Sequence, residues 1–440
     1  MRQLFALTLY RLILPLLFLA AFPGWVVKML RRGGFGTRLG ERAAVYTTPL
    51  EEEPCGTVHF HAVSVGESLL ALKLIREWLL AEPDRRFVLA TGTATGHAVA
   101  TGADIPGLRV TYSPLDFRWM VRSYLNRFEP SQIVLVEGEV WPHLLQECKK
   151  RGIPVRLVNA RMSPRSARRF SKFAAWLRPT YSLLDTVATQ QSEDAAIWQT
   201  LGLAPENIHR TGSLKFDPGS GSRPARRPEF QHILDSFGKN RSVVLAASTH
   251  PGEDSLIASA IREADIRALP VLVPRHAERR AEVTADLERA GFHIVLRSTL
   301  PPNHLPTSGG VPESEVGSGF PDNACLVIDT TGELRDWTAH ADAVVIGKSF
   351  LSIGGQNPAE AILAHIPVIF GPHMENFQPL ASHLISTGGC ICVQDSEELA
   401  ESISAALDPA KAKDMTQAAE KLLTRHQGAT VRILHLLKQP

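Results

Sequence analysis

The chain has few features that would lock it covalently or tie it to a familiar hydrolytic or metal chemistry. Its five cysteines, Cys55, Cys148, Cys325, Cys390 and Cys392, are an odd number without framework spacing. That pattern excludes a disulfide scaffold and points to a reducing compartment. Cys390 and Cys392 form a C-x-C in "GGCICVQD", either alternating core thiols or a redox or metal pair that has no second ligand cluster in the sequence. The net charge is only +2 over 440 residues, so nothing in the overall balance calls for nucleic acid as a partner. G-x-S-x-G, H-E-x-x-H and paired C-x-x-C are all absent, which weakens hydrolase and metalloenzyme readings and leaves no metal expected. "IGKS" imitates the end of a P-loop, but Asp342 stands where the required glycine would be. "GGFGTRLG" precedes the first strand instead of following one, so it is no dinucleotide fingerprint.

Apolar residues dominate the N-terminus. Residues 4–30, "LFALTLYRLILPLLFLAAFPGWVVKML", are interrupted by charge only at Arg11 and Lys28, a length that can span a bilayer or lie deep in one. The run is too long for the core of a signal peptide, and Pro23 sits near any cleavage point. Lys28, Arg31, Arg32 and Arg38 follow it, so the positive-inside rule places the downstream domains in the cytoplasm. Pro15, Pro23 and Arg11 leave open a tilted or interfacial anchor, and a buried core helix is the third possibility.

Beyond this anchor at residues 1–32, Val/Ile/Leu-rich runs alternate with longer helix-like segments: "TVHFHAVSV", "RFVLAT", "RVTYSP", "QIVLVE", "VRLVNA" and "TVATQ". Such alternation predicts a parallel sheet covered on both faces, here an N-terminal α/β domain over 33–217. "DPGSGSRPARRP" breaks the pattern and predicts a linker at 218–228. A second doubly wound domain over 229–440 follows, with "SVVLAAS", "VLVPRH", "HIVLRS", "CLVID", "AVVIG", "IPVIFG" and "CICVQ" as its strands. Residues 304–322 have almost no bulky apolar content in their middle and read as a surface loop. Two Rossmann-like lobes on one linker predict a cleft, with ligands outside the carboxyl ends of the strands.

Motifs fall at those strand ends. Glu67 closes "HAVSVGE", and Glu137 and Glu139 follow the run "QIVLV", with Pro142 suited to a first helical turn. Each acid is either a complement to a helix N-terminus or a reactive carboxylate. Residues 151–180 carry eight basic residues and no acid, with Phe170, Phe173, Trp176 and Leu177 interleaved. This is a solvated basic helix or a face for anionic lipid. In the second half "ASTHPGED", "VPRHAER" and "IGGQNPAEA" open helices or follow strands. Gly354 and Gly355 would let a phosphate approach the backbone, Arg275 would add a cation, and Glu360 would accept from ribose hydroxyls.

Taken in order, "RLGER", "HAVSVGE", "EGEVWP", "NARMSPRS", "TGSLKFD", "STHPGE", "VPRHAER", "DTTGEL" and "GGQNPAEA" resemble the motif series of the 3-deoxy-D-manno-octulosonic acid (Kdo) transferases. The resemblance implies an α/β GT-B-like fold and membrane-associated inverting transfer in lipopolysaccharide assembly at the bacterial inner membrane. It implies CMP-Kdo as donor, a lipid A precursor as acceptor, an anionic membrane surface as partner, and no cofactor or metal. Glu67 becomes the general base, and Glu137 a second acid needed for activity. The cytidine nucleotide would lie against Ser248, His250, Arg275, His276, Gly354, Gly355, Asn357 and Glu360, and the acceptor against Arg161, Ser163, Arg165, Arg168, Arg169 and Lys215. Lys348 stands where the family usually has glycine and Gln356 where it usually has histidine. A transferase of a uridine nucleotide sugar and a non-catalytic glycolipid-binding module remain as alternatives.

Overall fold

The computed structural model describes residues 2–31, 38–217, 226–300, 320–330 and 332–439. Residues 218–225 of the expected linker, 304–319 of the expected loop, and Arg32 lie outside these. The chain divides into two units, Met1–Ser220 with His426–Pro440, and Gly221–Arg425.

The first unit holds seven strands: β1 (Val58–Ala62), β2 (Phe87–Thr91), β3 (Leu108–Tyr112), β4 (Gln132–Val136), β5 (Val155–Ala160), β6 (Thr186–Thr189) and β7 (Ile208–Arg210). They pair in parallel in the order β3-β2-β1-β4-β5-β6-β7. Every residue of β1, β2, β4 and β5 is buried, as expected for a parallel sheet covered on both faces, and the buried set includes the polar side chains His59, His61, Gln132, Arg156 and Asn159. Crossover helices are punctuated as the sequence suggests. Pro142 occupies the first turn of Pro142–Arg151, basic residues fill its last turn, and Gly152 at φ 69° ends it in the left-handed region.

The second unit repeats the plan with β8 (Val243–Thr249), β9 (Leu269–Pro274), β10 (His293–Leu296), β11 (Ala324–Val327), β12 (Ala343–Ile346), β13 (Val368–Phe370) and β14 (Ile391–Cys392). Their order is β10-β11-β9-β8-β12-β13-β14, again parallel throughout. In each sheet the chain order reverses once beside the first strand: between β1 and β4, and between β8 and β12. Those two switch points are where an open parallel sheet makes a crevice.

One boundary differs from the sequence division. His426–Pro440, read as the end of 229–440, belongs to the first unit. The helix Ala429–Lys438 buries Ile433, Leu434 and Leu437 in the core around β1. The Leu437 carbonyl accepts from Arg156 Nη1 at 2.7 Å and Gln132 Nε2 at 3.0 Å, and the Gln439 carbonyl from Arg156 Nη2 at 2.7 Å. Asp217 caps the helix by accepting from the Gly428 and Thr430 N–H groups.

The N-terminal segment is a helix, Arg2–Arg31. Among the described residues no helix is long and apolar enough to cross a membrane. This one packs along the helix Ala174–Tyr181 of the first unit. Tyr10 donates to Asp116 Oδ2 at 2.9 Å, and Phe18 meets Phe117 edge-on at 5.6 Å. Its other side leaves Leu12, Leu16, Leu17 and Leu19 largely exposed.

Candidate functional site

At the first switch point, Ser64 caps the helix Val65–Ala81 by accepting from the Glu67 N–H. Glu67 answers: Oε1 accepts from the Ser64 hydroxyl at 2.9 Å and Oε2 from the Val63 N–H at 2.7 Å. This is close to a reciprocal capping box, so the helix-capping role anticipated for this acid is real. It does not exhaust the group. Glu67 stays half-buried, each oxygen keeps a free lone pair, and the two bonds fix where the carboxylate points.

Two acids after β4 take different parts. Glu137, at φ 66°, is held in a conformation that a side chain adopts at a cost of about 1–2 kcal/mol. Its Oε1 is paired with Lys215 Nζ at 2.8 Å and accepts from Asn159 Nδ2 at 3.3 Å. Asn159, itself at φ 54°, accepts from the Leu214 N–H through Oδ1. Lys215, expected at the acceptor, is therefore the counter-ion of Glu137. Glu139 is the acid electrostatically linked to Glu67: burial, and then the Glu67 charge, hold its carboxyl above the usual range. The sequence offered Glu139 as a strand-end acid, but no motif set it above Glu137.

At the second switch point the loops after β8 and β12 touch. A Cβ on Gly347 would lie 2.5 Å from the Ser248 carbonyl oxygen, so only glycine fits there. Ser248 is buried at φ 58°. Glu253, fully buried, accepts from the His250 N–H at 3.0 Å, the Lys348 N–H at 2.6 Å and the Phe350 N–H at 3.2 Å, which ties both loops together. The expected amide cradle is accordingly occupied. The Gly354 N–H donates to Glu375 Oε2 at 2.8 Å, and the Gly355 N–H to the Lys348 carbonyl at 2.9 Å. An anion arriving at Gly354 and Gly355 meets amides that already have acceptors. The side chains nearby are better placed to receive one. His250 Nε2 lies 3.3 Å from Gln356 Nε2. Arg275 and His276 are exposed just after β9. Asn357 Oδ1 accepts from the Ala359 N–H, and Glu360 has its carboxyl raised by burial, with Arg335 opposing.

Comparison with known proteins decides what this pair of sites belongs to. The model of the family described as 3-Deoxy-D-manno-octulosonic-acid transferase (kdotransferase) matches residues 37–218. The 3-deoxy-D-manno-octulosonic acid transferase of Bordetella pertussis is 33% identical over 94% of this chain and 95% of its own length. The chain belongs to the Kdo transferase family. The Haemophilus influenzae transferase is 30% identical over 91% of both chains. Among solved structures, Anabaena HepE in complex with UDP aligns with a TM-score of 0.54 at 14% identity over 87% of this chain and 99% of its own. That likeness establishes the fold, an α/β GT-B-like pair of Rossmann-like domains.

As a Kdo transferase-family glycosyltransferase the chain leaves Arg161, Ser163, Arg165, Arg168 and Arg169 of its expected acceptor residues exposed, and Lys215 apart from them on Glu137. Arg161 follows β5, and Ser163 caps the helix Pro164–Lys172 through the Ser166 N–H at 3.2 Å. Arg165, Arg168 and Arg169 are exposed, while Ala167 and Phe170 pack on the core. Among the described residues no carboxylate pairs with these arginines. Sequence reasoning also missed Arg279, whose guanidinium pairs with Asp254 Oδ2 at 2.7 Å and donates to the Thr249 carbonyl at 3.1 Å, bracing the loop after β8. A cavity of about 540 Å³ lies elsewhere, among Arg226, Lys239, Arg241, Leu269, His340 and Asp342. It sits at the amino ends of β8, β9 and β12, the wrong end of a parallel sheet for its ligand.

Proposed function

We propose that this Kdo transferase-family enzyme moves Kdo from CMP-Kdo to a lipid A precursor with inversion, at the cytoplasmic face of the bacterial inner membrane. The observation that carries the mechanism is the oriented, half-buried Glu67 carboxylate at the first switch point. Glu67 takes the proton of the acceptor hydroxyl as its oxygen attacks the anomeric carbon, and the bond from that carbon to the phosphate oxygen breaks to release CMP. A positioned carboxylate within hydrogen-bond reach contributes roughly 10²–10⁴-fold to such a step. Glu137, with Lys215 neutralising it, shapes the strand end beside the base. The nucleotide is received by the second unit through Ser248, His250, Arg275, His276, Asn357 and Glu360, and the leaving charge is met by side chains because the Gly354 and Gly355 amides are engaged.

The leucines of the N-terminal helix, with Phe173 and Trp176, are exposed apolar side chains on the unit that also carries Arg165, Arg168 and Arg169. That combination suits an interfacial helix lying on anionic lipid. The test is to incubate the purified full-length protein with CMP-Kdo and a lipid A precursor, follow CMP release, and weigh the lipid product. A mass gain of Kdo residues supports the reading. Release of UMP or UDP from uridine sugars with no use of CMP-Kdo would replace it.

A further inference from the structure

We infer that Lys348 is a donor-binding residue, a cation at the second switch point that pairs with the phosphate of the bound nucleotide. The inference rests on the proposed reading of the second unit as a cytidine-nucleotide site. Lys348 directly follows Gly347 at the end of β12 and lies in the left-handed region at φ 57°, where a side chain is disfavoured. The surroundings hold it there at both ends of the residue. Its N–H donates to Glu253 Oε2 at 2.6 Å and its carbonyl accepts from the Gly355 N–H at 2.9 Å. The side chain is thereby aimed at the glycine turn: Nζ stands 3.5 Å from the position a Cβ on Gly354 would take.

The charge there has no counter-ion among the described residues. Among the described residues no hydrogen-bond acceptor or carboxylate engages Lys348 Nζ, and the two nearest acids of the loops are committed elsewhere. Glu253 is spent on three backbone N–H groups, and Glu375 on the Gly354 N–H with His373 Nδ1 at 3.4 Å from its other oxygen. The cation is felt locally: after burial, Lys348 is the main influence lowering His250, with Arg279 and His276 adding to it and Glu253 opposing. A half-buried ammonium beside a glycine turn whose amides are already used is a receptor for an anionic group. A nucleoside monophosphate brings one.

The experiment is calorimetric titration of CMP and of cytidine into the full-length protein, Lys348→Gly and Lys348→Arg, at two salt concentrations. Lys348→Gly should weaken CMP about tenfold or more, leave cytidine unchanged, and flatten the salt dependence of CMP binding, and Lys348→Arg should restore most of the affinity. Glycine is favoured at this φ, so the unliganded Lys348→Gly protein should unfold at the same temperature or higher, which separates lost binding from lost fold. Equal CMP affinity in wild type and Lys348→Gly overturns the inference while leaving the proposed donor intact. So does an equal loss for CMP and cytidine. A wild-type protein that binds neither ligand overturns the proposed donor and this inference together.

Discussion

Gly66-Glu67 in the first unit and Gly252-Glu253 in the second both stand at the start of the helix that follows the first strand of the sheet, Glu67 as its third residue and Glu253 as its first. In sequence they look alike; in the fold both accept a backbone N–H from just upstream, but they differ in burial and in reach. The first helix has Ser64 as its cap, so a hydroxyl covers the leading amide and Glu67 is left half-exposed with two local bonds. The second has Gly252 at φ 86° and no capping side chain. There the Glu253 carboxylate turns inward, accepts from the His250 N–H in the loop before the helix, and reaches across to the Lys348 and Phe350 N–H groups. Glu67 is left partly exposed with two local bonds, whereas the Glu253 carboxylate is fully buried and spent on three backbone N–H groups.

That contrast is broken or sharpened by four variants. Glu67→Gln keeps shape and removes basicity, so turnover should fall by about 10²–10⁴, while urea unfolding moves by no more than about 1 kcal/mol, the worth of a cap. Near-normal turnover would return Glu67 to the capping role alone. Glu253→Ala should do the reverse. It leaves three part-buried N–H groups without their acceptor and should lower unfolding stability on the order of 3 kcal/mol, raising the KM for CMP-Kdo more than it lowers kcat. A stable Glu253→Ala enzyme with lost turnover would erase the distinction between the two lobes.

A smaller effect belongs to the basic face of the first unit. Replacing Arg165, Arg168 and Arg169 with alanine should raise the KM for a phosphorylated acceptor roughly tenfold and blunt its salt dependence, with CMP affinity unmoved. Acceptor kinetics indifferent to both changes would make this a solvated face.

The smallest concerns Glu139. Its carboxyl is raised in the fold by burial and by Glu67, so between the ordinary carboxylate range and the raised value the native state holds more protons than the unfolded chain, and stability declines as pH climbs. Glu139→Gln should flatten that decline by less than about 1 kcal/mol once solvent screening is allowed for. Thermal unfolding of both proteins from pH 4 to pH 7 measures it, and parallel curves would deny the coupling.

The strands were legible where Val, Ile and Leu were dense between helix-like segments: β1 to β6 could be read directly, and so could β8 to β14, even though β10 and β14 are only partly buried. β7 was not, because "IHR" is short, partly exposed and polar at its end. Of the site, the positions of Glu67, Glu137 and the second-unit loops at strand ends followed from motif placement. Their partners did not. Lys215 lies 78 residues from the Glu137 it neutralises, and Glu375 lies 21 residues from the Gly354 amide it fills. A helix N-terminus in sequence advertises free amides, and only coordinates reveal which are already taken.

The return of the C-terminal helix to the first unit has a consequence for synthesis. Gln132 and Arg156, on β4 and β5, require the carbonyls of Leu437 and Gln439, so the half of the protein that leaves the ribosome first is the last to be completed. Its polar groups there wait on water while the whole second unit, Gly221–Arg425, is made and folds within itself. A premature stop in the last helix would therefore injure the oldest part of the nascent chain and spare its youngest domain.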